Sequence, residues 1–530
     1  MRDLELKKEM QQKIRKPVKK AKKGILRFVF SRVTVLVVLL LLQIAILVFS
    51  GLYLGDYSKY YYTLLDIVSL VVVLYIINEK SNPAFKLCWI LFVTAVPVVG
   101  LFFYLYMKVQ GETRFLRRRL SELEQQTKPY MVQNDRVVDM LRSVKPANAN
   151  LAHYLGNTLN FPIHQNTSVQ YFAQGEEKFE ELKIQLQKAE RFIFLEYFIV
   201  DEGRMWSEVL DILKEKIEQG VEVRFMYDGM CNVLLPINFQ KKLKNHGIKC
   251  KLYSPLRPVL STYQNNRDHR KICVIDGKVA FTGGINLADE YINEKERFGH
   301  WKDTAVMLTG EAVQNFTMMF LQMWNISEKH PEDYGAYLTP KSTVVRKKEG
   351  FVLPYADSPF DQEDIGQQVY LHILNHAKKY VHIMTPYLIL DNGTVSTLTF
   401  AAKCGIEVII IVPHIPDKWY AHVLGYTYYE ELIEAGVQIY QYTPGFVHAK
   451  VFVSDDDTAV VGTVNLDYRS FYHHFECGAF IYANSVVKDI EADFQKTLMQ
   501  CKKITVEDVK KRTIFEKLAG GILKLIAPLM

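Results

Sequence analysis

At 530 residues, 49% hydrophobic and 12% aromatic, the chain can bury more than one core, which excludes a disordered polypeptide. Its formal net charge of +7 sits in a tail: residues 1–32 hold twelve Lys/Arg against Asp3, Glu5 and Glu9, a local +9, so the remainder sums to about −2. That distribution favours a membrane surface over nucleic acid as partner, and seven scattered cysteines without a C-x-x-C pair argue against a disulfide framework, a cysteine-ligated zinc site and an iron–sulfur cluster.

After the basic tail, Val33 to Gly55 carries no charge and is long enough to span about 30 Å of hydrocarbon. A signal peptide is the competing reading, but the apolar run is too long and no small-residue cleavage site follows it. Leu87 to Met107 is a second uncharged run, bounded by Lys86 and Lys108, with Trp89, Tyr104 and Tyr106 near its ends as interfacial anchors and Pro97 and Gly100 placed to kink it. Between the two, Tyr60 to Ile77 is apolar apart from Asp66 and reads as a third span or an interfacial piece. The positive-inside rule keeps the tail cytoplasmic. Three spans then put the catalytic part outside, whereas Lys108, Arg114, Arg117, Arg118 and Arg119 argue for inside and an even count. The membrane region, 33–107, therefore holds two or three spans.

Residues 108–147 read as a charged helical connector, with Leu116, Leu120 and Leu123 at helical spacing. From Asn148 strands alternate with helices: Arg191 to Val200, the amphipathic helix Met205 to Glu218, Val221 to Tyr227, then Lys271 to Ile275. Such alternation predicts an α/β fold with helices on the faces of a sheet. A first unit spans 148–340, and a second, 341–510, repeats the order through Tyr380 to Ile389, Ile406 to Pro413 and Val447 to Val453. In 511–530, Ile514, Leu518, Ile522, Leu525 and Ile526 with Lys517 and Lys524 form an amphipathic helix, for the membrane surface or as a cap on the core.

Within these units one pattern is written twice. His269-x-Lys271, four residues, Asp276, six residues and Gly283-Gly284-x-Asn286 recurs as His448-x-Lys450, four residues, Asp455, six residues and Gly462-Thr463-x-Asn465. Offsets between the copies shrink from 189 at Arg191/Tyr380 to 185 at Gly220/Gly405 and 179 at the histidines, as expected if a whole α/β unit was duplicated and loops were trimmed.

These residues resemble the phospholipase D superfamily. Asn-x-Arg-Asp-His269-Arg-Lys271-Ile-Cys-Val-Ile-Asp276-Gly and Gly-Gly-x-Asn286-x-x-Asp-Glu-Tyr291 are similar to its bacterial cardiolipin synthases, as are Gly-Thr-x-Asn465-Leu-Asp467-Tyr-Arg469-Ser470-Phe471 and, near the start, Asn82-Pro83-Ala84-x-Lys86-x-x-Trp89-Ile90. One stretch departs: Tyr472-His473-His474-Phe475-Glu476 stands where the resemblance leads us to expect Leu-Asn-Phe-Glu. The resemblance implies two phospholipase D-like α/β sandwich units fused face to face and sharing one active site, in a multi-pass protein of the bacterial plasma membrane.

Imidazole is a competent nucleophile near neutral pH because a useful fraction is already unprotonated. Attack on phosphorus gives a phosphohistidine, and a second imidazole serves as general acid toward the departing alkoxide, then as general base toward the incoming alcohol. Lys271 and Lys450 would neutralise the non-bridging oxygens, and Asn286 and Asn465 donate hydrogen bonds to them. No metal or cofactor is called for. Asp276 and Asp455 complete the family's motif, but five residues beyond each lysine they point away across alternating strand faces, a structural contribution. Each histidine needs an acceptor to fix its tautomer, and Asp303 and Glu476, 34 and 28 residues after their histidines and each before a strand-like run, are the candidates; the bland alternative is a solvated carboxylate at a strand start. Cys273, inside the first motif, reads as an apolar strand position.

By the resemblance, His269 is the nucleophile and His448 the acid/base; the residues themselves do not break that symmetry. The resemblance also supplies the substrates: two phosphatidylglycerol molecules, joined into cardiolipin with release of glycerol. The alternatives are a phospholipase D, another phosphatidyltransferase such as a phosphatidylserine synthase, or, from a different class, a membrane-anchored scaffold that binds anionic lipid without turnover. A scaffold leaves two complete motifs unexplained, and the membrane runs and near-neutral body speak against a nuclease.

Overall fold

The computed structural model describes residues 41–529 except 42–43, 47, 50–51, 54, 109–110, 256–263, 331, 339–348 and 362. The basic tail and much of the Val33 to Gly55 run lie outside the described residues. The chain divides into two units, 1–111 with 256–264, and 112–255 with 265–530.

In the first unit, Ser58–Asn78 is a continuous helix, and its stretch Lys59–Asn78, with a mean hydropathy of 2.0, is the one helix among the described residues long and apolar enough to cross a membrane. The Leu87 to Met107 run, expected as one span, is broken. Val96 leaves the helical region (φ −134°, ψ 70°) and the chain forms two helices, Pro83–Ala95 and Pro97–Lys108. Proline supplies no amide hydrogen and disfavours helical geometry in the residue before it, so the helix stops there. At 13 and 12 residues these helices are only about 20 and 18 Å long, short of the ~30 Å of a hydrocarbon core.

The two short helices fold back on each other. The Trp89 ring lies 5.3 Å from Tyr104, and Phe92 lies 5.8 Å from Phe103. Gly100 permits the approach, since a Cβ there would lie 2.6 Å from the carbonyl oxygen of Phe92. Both ends of this hairpin meet the C-terminal end of Ser58–Asn78: Lys86 Nζ donates to the Ile77 carbonyl at 2.9 Å, Tyr104 Oη donates to Glu79 at 3.3 Å, and Lys108 pairs with Glu79.

The second unit begins with the connector, helical over Gly111–Thr127 and Asp135–Val144. Its first half carries β1 (Thr167–Phe172), β2 (Phe192–Tyr197), β3 (Glu222–Asp228), β4 (Lys249–Tyr253), β5 (Lys271–Ile275), β6 (Val279–Gly283), β7 (His300–Lys302) and β8 (Ala305–Gly310). The second half carries β9 (Phe351–Asp357), β10 (Tyr380–Met384), β11 (Leu388–Ile389), β12 (Glu407–Pro413), β13 (Gln438–Tyr442), β14 (Gly445–Val447), β15 (Val451–Ser454), β16 (Thr458–Gly462), β17 (Leu466–Asp467), β18 (Glu476–Tyr482) and β19 (Cys501–Lys503). The sheets run β1-β8-β6-β5-β2-β3-β4 and β9-β18-β16-β15-β10-β12-β13, the latter extended by β19. The order is the same in both, with a parallel block (β2-β3-β4, β10-β12-β13) joined to antiparallel strands, so the duplication seen in the motifs extends to the whole sheet.

Strands buried on both faces explain the nearly continuous apolar runs: every residue of β2, β5, β6 and β16 is buried. Cys273 is one of these strand positions, fully buried in the core of the first half. The helix Arg204–Glu218 lays Met205, Trp206, Val209 and Leu213 into that core. The halves meet where β6 packs against β16 and β18. They also exchange strands: β7 pairs in parallel with β14 of the other half.

Two expected strands are interrupted. Tyr380 to Ile389 divides into β10 and β11 around Pro386, and Val447 to Val453 divides into β14 and β15 around His448 to Lys450. At the C-terminus, Ile514–Ile526 is a helix with a Thr513/Glu516 capping box. It packs on the helix Trp419–Glu434, with Gly520 so close that a Cβ would lie 2.7 Å from Thr427 Cγ2. Its other apolar residues face outward: Ile514 is 78% exposed, Phe515 77%, Leu518 64% and Ile522 64%. The helix is thus both a cap on the core and an exposed apolar stripe.

Candidate active site

Each motif histidine precedes the first residue pairs of a buried strand. His269 leads into β5 and His448 into β15, the homologous strands of the two sheets. What brings them together is backbone pairing between the halves. The amide of His269 donates to the carbonyl of Phe475 at 2.9 Å, and the amide of His448 donates to the carbonyl of Lys302 at 2.7 Å. Phe475 and Lys302 immediately precede Glu476 and Asp303. Each histidine is therefore registered against the carboxylate of the opposite half.

The side chains complete the crossing. His269 Nδ1 lies 2.9 Å from both oxygens of Glu476, and His448 Nδ1 lies 2.6 Å from Asp303 Oδ2. The sequence presents these carboxylates as candidates within each copy; the contacts run between copies. With Nδ1–H donated to a carboxylate, each ring keeps Nε2 for other chemistry. All four groups are buried, the two carboxylates completely, so the solvated-carboxylate alternative does not describe them.

The two lysines close the cluster. Lys271 Nζ and Lys450 Nζ each donate to the backbone carbonyl of their own motif histidine. Burial lowers Lys271 to about 8 and Lys450 to about 7, a cost that attraction to Glu476 and Asp303 only partly offsets. The same burial, reinforced by these ammoniums, holds His269 and His448 well below the usual imidazole range. Burial pushes the Asp303 carboxyl up to about 6, against the pull of Lys450.

The two copies hold their carboxylates differently. Gly284 leaves room for Asp303: a Cβ there would lie 2.0 Å from Asp303 Oδ1. In the second copy Thr463 takes that place and its hydroxyl donates to Glu476 Oε2, while Ser470 Oγ donates to Oε1 at 2.7 Å. Thr463 and Ser470 escaped the sequence reading as carboxylate donors, although both lie within the Gly-Thr-x-Asn-x-Asp-x-Arg-Ser stretch. Five residues past its asparagine, where Ser470 stands in the second copy, the first copy has Tyr291, whose ring packs 5.7 Å from His448.

Asn286 accepts the amide of Ile199 at 2.9 Å and donates to Tyr291 Oη at 2.8 Å, which leaves one amide hydrogen for a ligand. The Asn465 amide of the backbone donates to Ser470 Oγ at 3.1 Å, and its side-chain Oδ1 is buried without a hydrogen-bond partner. Asp276 and Asp455 do not join the cluster. They sit in the hairpin turns at the far ends of β5 and β15, with φ of 55° and 54°. Asp276 accepts the amides of Glu190, Arg191 and Phe192 at 2.7–2.9 Å, and Asp455 those of Lys378, Lys379 and Tyr380 at 2.7–3.2 Å. Each ties its hairpin to the start of the neighbouring strand, β2 or β10.

Comparison with known proteins agrees with this architecture. The family model of a cardiolipin synthase phospholipase D-like domain matches residues 182–324 and again 370–498, and that of a phospholipase D-nuclease N-terminal segment matches 64–107. A cardiolipin synthase of Halalkalibacterium halodurans is 32% identical over 94% of this chain and 100% of its own length. One of Alkalihalophilus pseudofirmus is 33% identical over 91% of this chain and 98% of its own. Among solved structures, phosphatidylserine synthase of Haemophilus influenzae aligns with a TM-score of 0.54 and 15% identity over 73% of this chain and 97% of that one, a likeness of fold. With both halves matched and such relatives along nearly its whole length, the chain belongs to the cardiolipin synthases, phosphatidyltransferases of the phospholipase D superfamily.

Proposed function

We propose that the chain moves a phosphatidyl group from one phosphatidylglycerol to the terminal hydroxyl of another, giving cardiolipin and glycerol through a phosphohistidine on His269. The observation that carries this reading is the pair of imidazoles, each held at Nδ1 by a carboxylate of the opposite half, beside two buried lysines. His269 Nε2 attacks phosphorus; the P–N bond forms and the bond to glycerol oxygen breaks, with the proton delivered by His448. In the second half His448 takes the proton of the acceptor hydroxyl, whose oxygen displaces the imidazole. One phosphodiester replaces another, so no nucleotide is consumed.

The unequal carboxylates support this division of labour. Glu476, satisfied by two hydroxyls as well as the imidazole, holds His269 in one tautomer. Asp303 accepts from the backbone amide of Thr304 and from His448 Nδ1, and burial raises its carboxyl to about 6, which suits an imidazole that must gain and lose a proton. His448 is neutral until the anionic phosphate enters between it and the ammoniums and offsets their repulsion. Proton transfer of this kind contributes about 10²–10⁴ in rate. Alcohol in place of water as acceptor requires a site that positions the hydroxyl and excludes solvent.

We further propose that the protein is multi-pass, with the hairpin Pro83–Lys108 re-entrant. Its two ends meet the same end of Ser58–Asn78, and neither helix is long enough to cross. Counting Val33 to Gly55 as a span from its sequence, two crossings return the chain to the side of the basic tail, and Arg114, Arg117, Arg118 and Arg119 then obey the positive-inside rule. The exposed apolar residues of Ile514–Ile526 suit a membrane surface.

Three outcomes follow. Purified protein given phosphatidylglycerol alone yields cardiolipin and glycerol in equal amounts; phosphatidic acid as the main product would make it a hydrolase, and no product a lipid-binding scaffold. The kcat/KM declines as pH rises through about 7, because Lys450 loses the charge that binds the phosphate, and Lys450→Arg moves the decline toward about 8, where Lys271 discharges; a flat profile from about pH 6 to 9 contradicts this role for the lysines. In intact cells an impermeant maleimide labels Asp56→Cys but neither Ser81→Cys nor Arg117→Cys until the membrane is opened. Labelling of Arg117→Cys from outside would overturn the re-entrant hairpin.

A further inference from the structure

The stretch that departs from the expectation of the resemblance, Tyr472 to Glu476, places a third imidazole beside the two motif histidines. His474 is 7% exposed, its ring centroid lies 5.3 Å from that of His269, and its Nδ1 lies 3.5 Å from Glu476 Oε1. Neither of its ring nitrogens has a hydrogen-bond partner. The corresponding position of the first half, two residues before Asp303, is Trp301, whose ring packs on His448 at the same 5.3 Å. Packing alone is therefore met in the other half by a ring with no ligand nitrogen. With only the 3.5 Å approach of Nδ1 to Glu476 Oε1, this buried imidazole is weakly held, and packing does not explain its desolvation cost.

We propose that His269, His474 and Glu476 form a binding site for a divalent transition metal of the zinc class, and that the bound metal switches the enzyme off. Ligand atoms of the three residues, one from each, lie within 4.8 Å of one another. Zinc bonds of about 2.0–2.2 Å in tetrahedral geometry separate neighbouring ligand atoms by roughly 3.3–3.6 Å, close to the 2.9 Å of His269 to Glu476 and the 3.5 Å of His474 to Glu476. Two imidazoles and one carboxylate suit zinc, cobalt, nickel or copper in preference to magnesium or calcium. On binding, the metal takes the place of the Nδ1 proton of His269, which moves to Nε2 so that the ring stays a neutral imidazole with its attacking nitrogen protonated, and the metal occupies the carboxylate that orients the ring. The inhibitory part of this inference rests on the reading of His269 as the nucleophile; the binding part does not.

The test uses the full chain in detergent with Zn²⁺ as probe, measuring metal bound after equilibrium dialysis and, separately, turnover of phosphatidylglycerol. The expected result is one Zn²⁺ per chain, inhibition reversed by chelator, and at least a tenfold weakening of both binding and inhibition in His474→Asn, which turns over normally without metal. Equal binding by the two proteins, or no saturable binding, overturns the site. Binding that depends on His474 but leaves turnover unchanged upholds the site and overturns the role of His269 in the reaction.

Discussion

The structure depends on a crossing. Each half of the catalytic unit supplies one histidine and one carboxylate, and each carboxylate holds the histidine of the other half. The backbone enforces this: the amide of each histidine bonds the carbonyl immediately before the opposite carboxylate. Neither half alone has an oriented imidazole. A buried Asp or Glu without its partner would carry a severe desolvation cost, so the same contacts that prepare the site also fasten the two sheets together.

Within that symmetry the copies have diverged in a way that physical chemistry explains. A longer Glu476 is met by the hydroxyls of Thr463 and Ser470, while a shorter Asp303 lies against Gly284, where any side chain would collide with it. Gly-Gly-x-Asn and Gly-Thr-x-Asn are thus matched to the carboxylate each must accommodate. The lysines carry the opposite tension. Sunk in the protein beside one another, they are poised to lose their charge near neutrality, and under the proposed reaction an anionic phosphate is the group that would restore it.

Much of this was legible in the chain. The period of the strands gives β5 to the residue and β3 to within one, because strands buried on both faces leave an apolar run with clear ends. The duplication gives the pairing of elements, and the alternation of faces places Asp276 away from Lys271, where it ties down β2. Three things were not legible. The sequence marks Pro97 as a kink, whereas the chain breaks there into two helices and breaks again at Pro386 between β10 and β11. The crossing of carboxylates joins residues 145 and 207 positions apart, and no local pattern encodes which of two equivalent partners a histidine meets. His474 stood out as a departure, but its place against His269 needed the fold.

The central claim is that Glu476, from the second half, prepares His269, from the first, for attack on phosphorus. The most direct measurement is rapid-quench trapping of phosphatidylglycerol labelled in its phosphatidyl phosphate, with the adduct mapped by mass spectrometry and its rate compared between the native chain and Glu476→Gln. The expected result is a single phosphohistidine at residue 269, formed at least about a hundredfold more slowly in the variant, in keeping with the loss of an orienting acceptor. An adduct on any other residue, or one formed at the native rate in Glu476→Gln, would contradict it.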